Sequence, residues 1–216
     1  SGNNRLSANQ HNNAWALNGA GRGTLNESIV FEAIQTLVGG GEGNTLRGPN
    51  RDNRWLLTEA RRGTVSEQGI SGTSTEFVGM ETLEGGARND LFVAGGALTV
   101  GQLASFEQLR GGTQSEGGVD ALDLTALSDN GPVSVGLDGL NDVDIQVAGI
   151  EQIDAQGAGN RLYGASDAAY SWVVNALNAG RVSPTASGAS EAGVTFTGFT
   201  ELTGGTHSDT FALLGT

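Results

Sequence analysis

Apolar residues lie along the chain in short groups of two or three, separated by Gly, Asn, Asp or Ser. No segment has the sustained 3.6-residue stripe of an amphipathic helix, so the pattern favours short strands. Phe77, Met80 and Leu83 are three residues apart, and a straight strand alternates every two residues, so this step requires a bend. Gly79 tolerates such a bend. The pattern therefore predicts short strands that turn corners around one core.

One apolar phrase recurs five times. Each copy begins with an aromatic or aliphatic residue and ends with Asn or Asp two residues before Leu or Phe, with a glycine-rich turn in between. The first apolar residue precedes the Asn or Asp by 13 residues in four copies and by 14 in the third. The copies are residues 31–46, 77–92, 106–122, 147–162 and 196–211. This agreement indicates a repeated structural unit.

A second phrase contains all three tryptophans of the chain. It consists of Trp, any residue, an aliphatic residue and Asn or Thr, followed by a loop and by Gly-x-aliphatic. Its copies are residues 15–25, 55–65 and 172–182. If identical positions of successive repeats stack, Trp15 and Trp55 form one row of inward aromatic residues, and Phe31 and Phe77 form another.

The spacing of the repeats predicts the fold class. Successive Asn or Asp positions are 30 to 49 residues apart, and a repeat of about 40 residues with four short strands is typical of two stacked turns about 4.8 Å apart. We therefore predict an all-β parallel β-helix (β-solenoid) of roughly ten turns, built from imperfect repeats of about 40 residues. Residues 1–216 form a single segment in this interpretation, an internal fragment of a longer repetitive protein. A β-sandwich of meanders is the alternative, but it does not explain the fixed phase.

The same alignment predicts the core and the corners. The residues expected to point into one shared core are Leu37, Leu83, Ile153, Leu202, Phe31, Phe77 and Phe196. The Gly-Gly pairs at 39–40, 85–86, 111–112 and 204–205 are expected at corners that need a positive φ.

Composition narrows the class of protein. The chain has 36 Gly but only 3 Pro, and it has no Cys, so disulfides do not stabilise it. All 11 basic residues are Arg, which excludes a Lys–Asn isopeptide cross-link. The net charge is −13, of which −11 falls in residues 111–216. Such a surface disfavours nucleic acid and anionic lipid as partners, and no stretch approaches the length of a membrane span, so we expect no membrane insertion of this segment.

Glycine-rich turns give the chain a family resemblance. GGGEGNTL (39–46), GGARNDLF (85–92) and GGTHSDTF (204–211) resemble the glycine-aspartate nonapeptide of repeats-in-toxin proteins. The surrounding phrases resemble the repeat arrays of filamentous-haemagglutinin-like adhesins and biofilm-matrix exoproteins. The resemblance covers nearly the whole chain, and it implies a parallel β-helix shaft, secretion to the bacterial cell surface or extracellular matrix, and a role in adhesion or aggregation.

The turns depart from the calcium-binding form of that nonapeptide. The copies are isolated rather than in tandem, and Glu42, Arg88 and His207 replace its fourth-position glycine. We therefore expect the Asn and Asp side chains to bond the backbone of their own turns, and the fold to require no cofactor. The densest acidic stretch is a candidate calcium site, with Asp138, Asp142 and Asp144 as ligands; a solvated turn is the alternative. Asp142 and Asp144 are two residues apart on a predicted strand, so we expect them on one face of it.

Arginines form the other candidate site. Arg51, Arg54, Arg61 and Arg62 lie around Trp55 and are candidates for binding an acidic polysaccharide or a neighbouring molecule. Pairing with nearby acids is the alternative. The two histidines are 196 residues apart, so neither a zinc cluster nor a Ser-His-Asp triad is indicated, and we predict no enzymatic activity.

Three functions fit these observations. The first is a structural shaft of a secreted adhesin, whose partners are extracellular polysaccharide or neighbouring adhesin molecules. The second is a carbohydrate-binding module, and the third is a polysaccharide-active β-helix enzyme. The direction of the tryptophans separates the first two, because inward rings indicate a shaft and an exposed strip indicates sugar binding.

Overall fold

The structure is a computed structural model that describes residues 3–72, 74–113, 118–129, 131–137, 142–185 and 193–214. It is all-β apart from one short helix, α1 (Val100–Leu103). The strands of the first half are β1 (Arg5–Ser7), β2 (Ala14–Gly19), β3 (Arg22–Leu25), β4 (Ile29–Phe31), β5 (Thr36–Val38), β6 (Thr45–Arg47), β7 (Asn53–Glu59), β8 (Arg62–Glu67), β9 (Thr75–Val78), β10 (Thr82–Gly86) and β11 (Asp90–Ala94). Those of the second half are β12 (Gln108–Gly112), β13 (Ala121–Asp123), β14 (Ser134–Leu137), β15 (Ile145–Ala148), β16 (Gln152–Asp154), β17 (Arg161–Tyr163), β18 (Tyr170–Ala176), β19 (Ala179–Pro184), β20 (Val194–Thr197), β21 (Glu201–Thr203) and β22 (Thr210–Leu213).

The strands form two large, mostly parallel sheets. One sheet has 12 strands in the order β1-β5-β9-β8-β7-β11-β13-β16-β20-β19-β18-β22. The other has 10 strands in the order β21-β17-β14-β15-β12-β10-β6-β2-β3-β4. From β9 to β14 the chain changes sheet at every step. Gly79, with φ +71°, lies at one of these changes, between β9 and β10.

Each tryptophan phrase forms a hairpin. Trp15, Trp55 and Trp172 lie directly opposite the closing aliphatic residue of their own phrase, and a third strand completes each antiparallel meander. The six antiparallel pairings among the described strands all belong to these meanders, whereas the other pairings are parallel. The meanders are therefore local interruptions of otherwise parallel sheets.

The predicted rows of identical aromatic residues are wrong. Trp15 lies in the 10-stranded sheet, whereas Trp55 and Trp172 lie in the 12-stranded sheet. The chain changes sheet three times between β4 and β7, and an odd number of changes places successive meanders on opposite sheets. Each tryptophan instead packs against the phenylalanine of its own meander, as Trp55 does against Phe77 at 6.0 Å between ring centroids.

Both sheets contribute to one hydrophobic cluster. All three tryptophans are at most 1% exposed. Six of the seven predicted core residues are buried, and the seventh, Leu202, is partly buried and packs against the same cluster. The prediction of a shared inward set is thus confirmed, and Leu202 is more open because its strand, β21, lies at the edge of its sheet.

The predicted alignment of the third copy of the apolar phrase is wrong. Leu109 pairs with Leu83, so Phe106 corresponds to Met80 and not to Phe77. The extra residues of this copy therefore lie in sequence between Gly112 and Asp120, and α1 stands where the other copies have a strand. Phe106 is nevertheless buried.

The glycines have two different roles. Gly79, Gly149 and Gly198 each follow an inward residue by two positions and have φ between +60° and +78°, which confirms the bend predicted at Gly79. The Gly-Gly pairs do not have the predicted positive φ, except at Gly112 (φ +108°). They are required by close approach instead: a Cβ on Gly39 would lie 2.1 Å from the carbonyl oxygen of Gly79.

Candidate functional site

Buried polar side chains form two ladders, one on the inward face of each sheet. Each member stands two residues before an inward apolar residue, so these side chains also point inward. The first polar ladder, behind the 10-stranded sheet, is Asn13, Asn44 and Glu81; the second, behind the 12-stranded sheet, is Asn53, Asp90, Asp120 and Glu151. Six of these seven residues are buried, and Glu151 is partly buried.

The first polar ladder passes hydrogen bonds from strand to strand. The Asn13 side-chain amide donates to Asn44 Oδ1 over 2.8 Å. The Asn44 backbone N–H and side-chain amide both donate to Glu81 Oε2, over 2.7 and 3.1 Å. The Asn44 amide also donates to the carbonyl of Gly41 in its own turn, as the sequence predicts for these residues.

An arginine neutralises the buried end of this ladder. Arg61 is the tip residue of the β7–β8 hairpin, with φ +53°, and its Nη1 lies 3.0 Å from Glu81 Oε1. Its backbone carbonyl accepts from the N–H groups of Gly79 and Met80. A buried carboxylate needs such a partner, because an unpaired charge in a protein interior is costly.

The second polar ladder contains consecutive carboxyl groups. The Asn53 side-chain amide donates to Asp90 Oδ1 over 2.7 Å, and the Asp90 backbone N–H donates to Asp120 Oδ1 over 2.6 Å. The Asp120 N–H in turn donates to Glu151 Oε2 over 2.7 Å. Asp120 Oδ1 and Glu151 Oε2 therefore each satisfy a backbone N–H of the preceding strand, whereas Asp90 Oδ1 accepts from a side-chain amide.

Burial raises the pKa of Asp90 to about 7. The hydrogen bond from Asn53 opposes this rise, and the negative charge of Asp120 adds to it. No ion pair involves Asp90 among the described residues. Raised pKa values occur where a carboxyl is desolvated beside another carboxyl.

Four ladder members were not predicted from the sequence: Asn13, Asn53, Glu81 and Glu151. Asn13 and Asn53 precede Trp15 and Trp55 by two residues, so Asn-x-Trp repeats the recognised Asn-x-Leu phrase and was available as a signal. Glu81 and Glu151 do not match the phrase, because it is defined by Asn and Asp.

The candidate arginines do not share a carboxylate. Arg61 binds Glu81, Arg62 binds Glu59 and Glu76, and Arg51 binds Glu67 over 2.6 Å. Arg54 is exposed on the outward face of β7. The arrangement favours the alternative in which most of these arginines pair with acids of their own fold.

One groove nevertheless contains cationic groups. It lies between the β2–β3 hairpin and the loop from β6 to β7, and consists of two adjoining depressions of about 290 and 270 Å³. Both depressions are lined by Leu17, Pro49 and Arg51; Arg22 lines the first and Arg47 the second. Arg51 pairs with Glu67, which also lines the first depression, and Arg47 pairs with Glu84. Arg22 has no ion pair among the described residues, so its guanidinium group suits an anionic ligand.

The acidic stretch does not form the expected strand. Asp138 lies outside the described residues, and Asp142 and Asp144 lie in the bend before β15, where Asp142 is exposed with φ +75°. The predicted placement of both on one face of a strand is thus wrong, because the chain bends through 142–144. The Asp144 carboxylate accepts from the backbone N–H and hydroxyl of Ser134, each over 2.7 Å. No group of three His, Cys, Asp or Glu suitable for a metal occurs in the described part of the chain.

In the described residues, no helix has the length and apolar character that crossing a membrane requires.

Comparisons with other proteins give no family. No family model matches the chain, and neither a curated protein nor a solved structure matches it.

Proposed function

We propose that the chain is a structural shaft segment of a secreted bacterial surface or biofilm-matrix adhesin, folded as a parallel β-solenoid that three hairpins interrupt. It mediates adhesion or aggregation by holding other parts of the adhesin at a distance from the cell. No chemistry of its own is required for this role.

The orientation of the tryptophans carries the proposal. Trp15, Trp55 and Trp172 are all buried, and each packs edge-on or tilted against a buried phenylalanine ring. A module that binds sugars by aromatic stacking needs exposed rings, and these rings are unavailable for that contact. Inward aromatic residues stabilise a repetitive shaft instead.

The path of the chain supports the same proposal. Parallel strands that alternate between two sheets add length in one direction, and each strand contacts mainly its neighbours. The acidic character of residues 111–216 keeps such a surface soluble.

Length measurements test this role. One, two and three tandem copies are placed between a membrane anchor and a sugar-binding tip on a non-adherent bacterium. We expect the tip to stand farther from the cell by an equal step per copy in electron micrographs. A flexible Gly-Ser linker with the same number of residues serves as the control, because its reach grows only with the square root of its length. Equal reach for the linker and the chain would contradict the proposal.

The groove favours a second candidate function, the binding of an anionic polysaccharide. Its walls include β2 and β8, which are paired on both sides, so a peptide cannot add there as an extra strand. Arg22 has no ion pair among the described residues, and its guanidinium lies over Gly19 at the groove. A polymer with carboxylate groups suits this arrangement.

Binding of alginate tests the second function. We expect backbone NMR signals of residues 17–22 and 47–51 to shift with alginate and not with neutral dextran. Arg22→Ala should abolish the shifts, whereas Arg161→Ala, an exposed arginine of the same charge elsewhere, should retain them. Shifts that persist in Arg22→Ala would exclude the groove as the site.

A further inference from the structure

Asn side chains in the ladder position bond the neighbouring strand in a fixed way. The Asn44 side-chain amide donates to the carbonyl of Gly79 over 3.1 Å, and the Asn160 amide donates to that of Gly198 over 2.9 Å. In both cases the acceptor belongs to the residue two positions after an inward aromatic residue. The side-chain nitrogen is therefore the donor that this place in the fold requires.

Asp90 has the same position but carries an oxygen there. An imagined Cβ on Gly85 would lie 2.3 Å from Asp90 Oδ2 and 2.3 Å from the carbonyl oxygen of Gly111. A Cβ placed on Gly39 in the same way would lie 2.8 Å from the Asn44 amide nitrogen and 2.1 Å from the carbonyl oxygen of Gly79. Asp90 Oδ2 thus stands where the other ladder has a nitrogen.

This oxygen is buried and has no hydrogen-bond partner. Asp90 is 1% exposed, and its Oδ2 makes no hydrogen bond, whereas its Oδ1 accepts from Asn53. A carboxylate oxygen that faces a carbonyl oxygen is repelled, but a carboxylic acid can donate to it. We propose that Asp90 is protonated in the folded chain in mildly acidic solution and donates from Oδ2–H to the carbonyl oxygen of Gly111, which is the bond that Asn44 and Asn160 make elsewhere.

The charged groups around Asp90 favour the protonated acid. From β13, Asp120 faces it and Glu151 lies beyond; from the β6–β7 loop, the Asp52 carboxylate binds the N–H of Asn89. The charged residue in the turn just before Asp90 is Arg88, and it is exposed. The side chains that reach it from β7, those of Asn53 and Trp55, are uncharged. Their N–H groups oppose the rise in the pKa of Asp90, and burial outweighs them.

The sign of the resulting pH dependence follows from these surroundings. Burial raises the pKa of Asp90 from an ordinary 3.8 to about 7, so between these values the folded chain binds a proton that the unfolded chain does not. The stabilisation is complete below the unfolded value and is lost as the pH rises through about 7. This part of the fold is therefore tighter in acid than in mild alkali, whatever function the chain has.

Two measurements test the proposal. The first is a ¹³C NMR titration of the Asp90 carboxyl in the intact chain, in which we expect the midpoint to lie above pH 6. The second is urea unfolding at pH 5 and pH 8 for the native chain, Asp90→Asn and Asp123→Asn. Asp123 lies on β13 with its side chain on the outward face, so it is the matched control.

We expect the folding equilibrium constant of the native chain to fall by roughly tenfold to a hundredfold more than that of Asp90→Asn between pH 5 and pH 8. Asp123→Asn should behave like the native chain. A carboxyl that titrates below pH 5, or an unchanged pH response in Asp90→Asn, would overturn the proposal. So would a stabilisation by calcium at pH 8 that Asp90→Asn abolishes, because the position would then hold a cation.

Discussion

The two polar ladders solve the same backbone problem with different chemistry. In both, a side-chain oxygen accepts the N–H of the preceding strand: Glu81 accepts from Asn44, and Asp120 accepts from Asp90. In the first polar ladder the remaining atoms are amide donors, and the terminal carboxylate meets Arg61. In the second polar ladder, the carboxyl groups of Asp90, Asp120 and Glu151 stand on successive strands. The ladder position therefore selects a polar side chain, but it does not select the charge.

This difference separates two roles of the ladder residue. Oδ1 satisfies a buried N–H, and Asn and Asp perform that role equally well. The second atom faces a backbone carbonyl, where Asn has a donor and ionised Asp has none. Substitutions that alter one role and leave the other intact therefore test the comparison directly.

Removal of Glu81 should have the largest effect. Glu81→Ala leaves the Asn44 N–H without its acceptor and removes the ion pair of Arg61, and we expect a loss of about 3 kcal/mol in the free energy of unfolding. Glu81→Gln retains an acceptor oxygen and should lose about 1 kcal/mol. Urea unfolding at pH 7 measures both. Equal losses would mean that the charge, rather than the acceptor, stabilises this ladder.

Conversion of the first polar ladder into the second should have an intermediate effect. Asn44→Asp places a carboxylate oxygen where the amide now lies 3.1 Å from both Glu81 Oε2 and the Gly79 carbonyl. We expect a loss of about 2 kcal/mol at pH 8, because a buried donor becomes a repelled charge. The loss should shrink at pH 5, where the new acid gains a proton.

Thermal melts at both pH values measure this change. Asn50→Asp is the matched control, since Asn50 is exposed in the loop between β6 and β7. Similar losses in the two variants would show that added negative charge, and not its place in the ladder, is responsible.

The sequence predicted the inward residues better than their arrangement. Phe77 and Leu83 were identified because apolar spacing reports burial directly. The sheet that each tryptophan occupies depends on how many times the chain crosses between sheets, which repeat spacing does not reveal. Glu81 was missed for a physical reason: a buried glutamate is stabilised by Arg61, and Arg61 is 20 residues away in the chain.

An exposed ion pair should have the smallest effect. Arg161 and Glu201 lie on adjacent strands with Nε 2.6 Å from Oε2, and both side chains are 52% exposed. This hydrogen bond raises the pKa of Arg161, but water and salt screen a pair at such exposure. Glu201→Gln should therefore leave the urea midpoint unchanged within error, both in low salt and in 0.5 M NaCl. The same substitution at Glu81 removes one carboxylate and one arginine contact, so the two variants differ mainly in burial. If Glu201→Gln destabilised the chain as much as Glu81→Gln, pairing with arginine alone would account for both, and the buried ladder would have no special role.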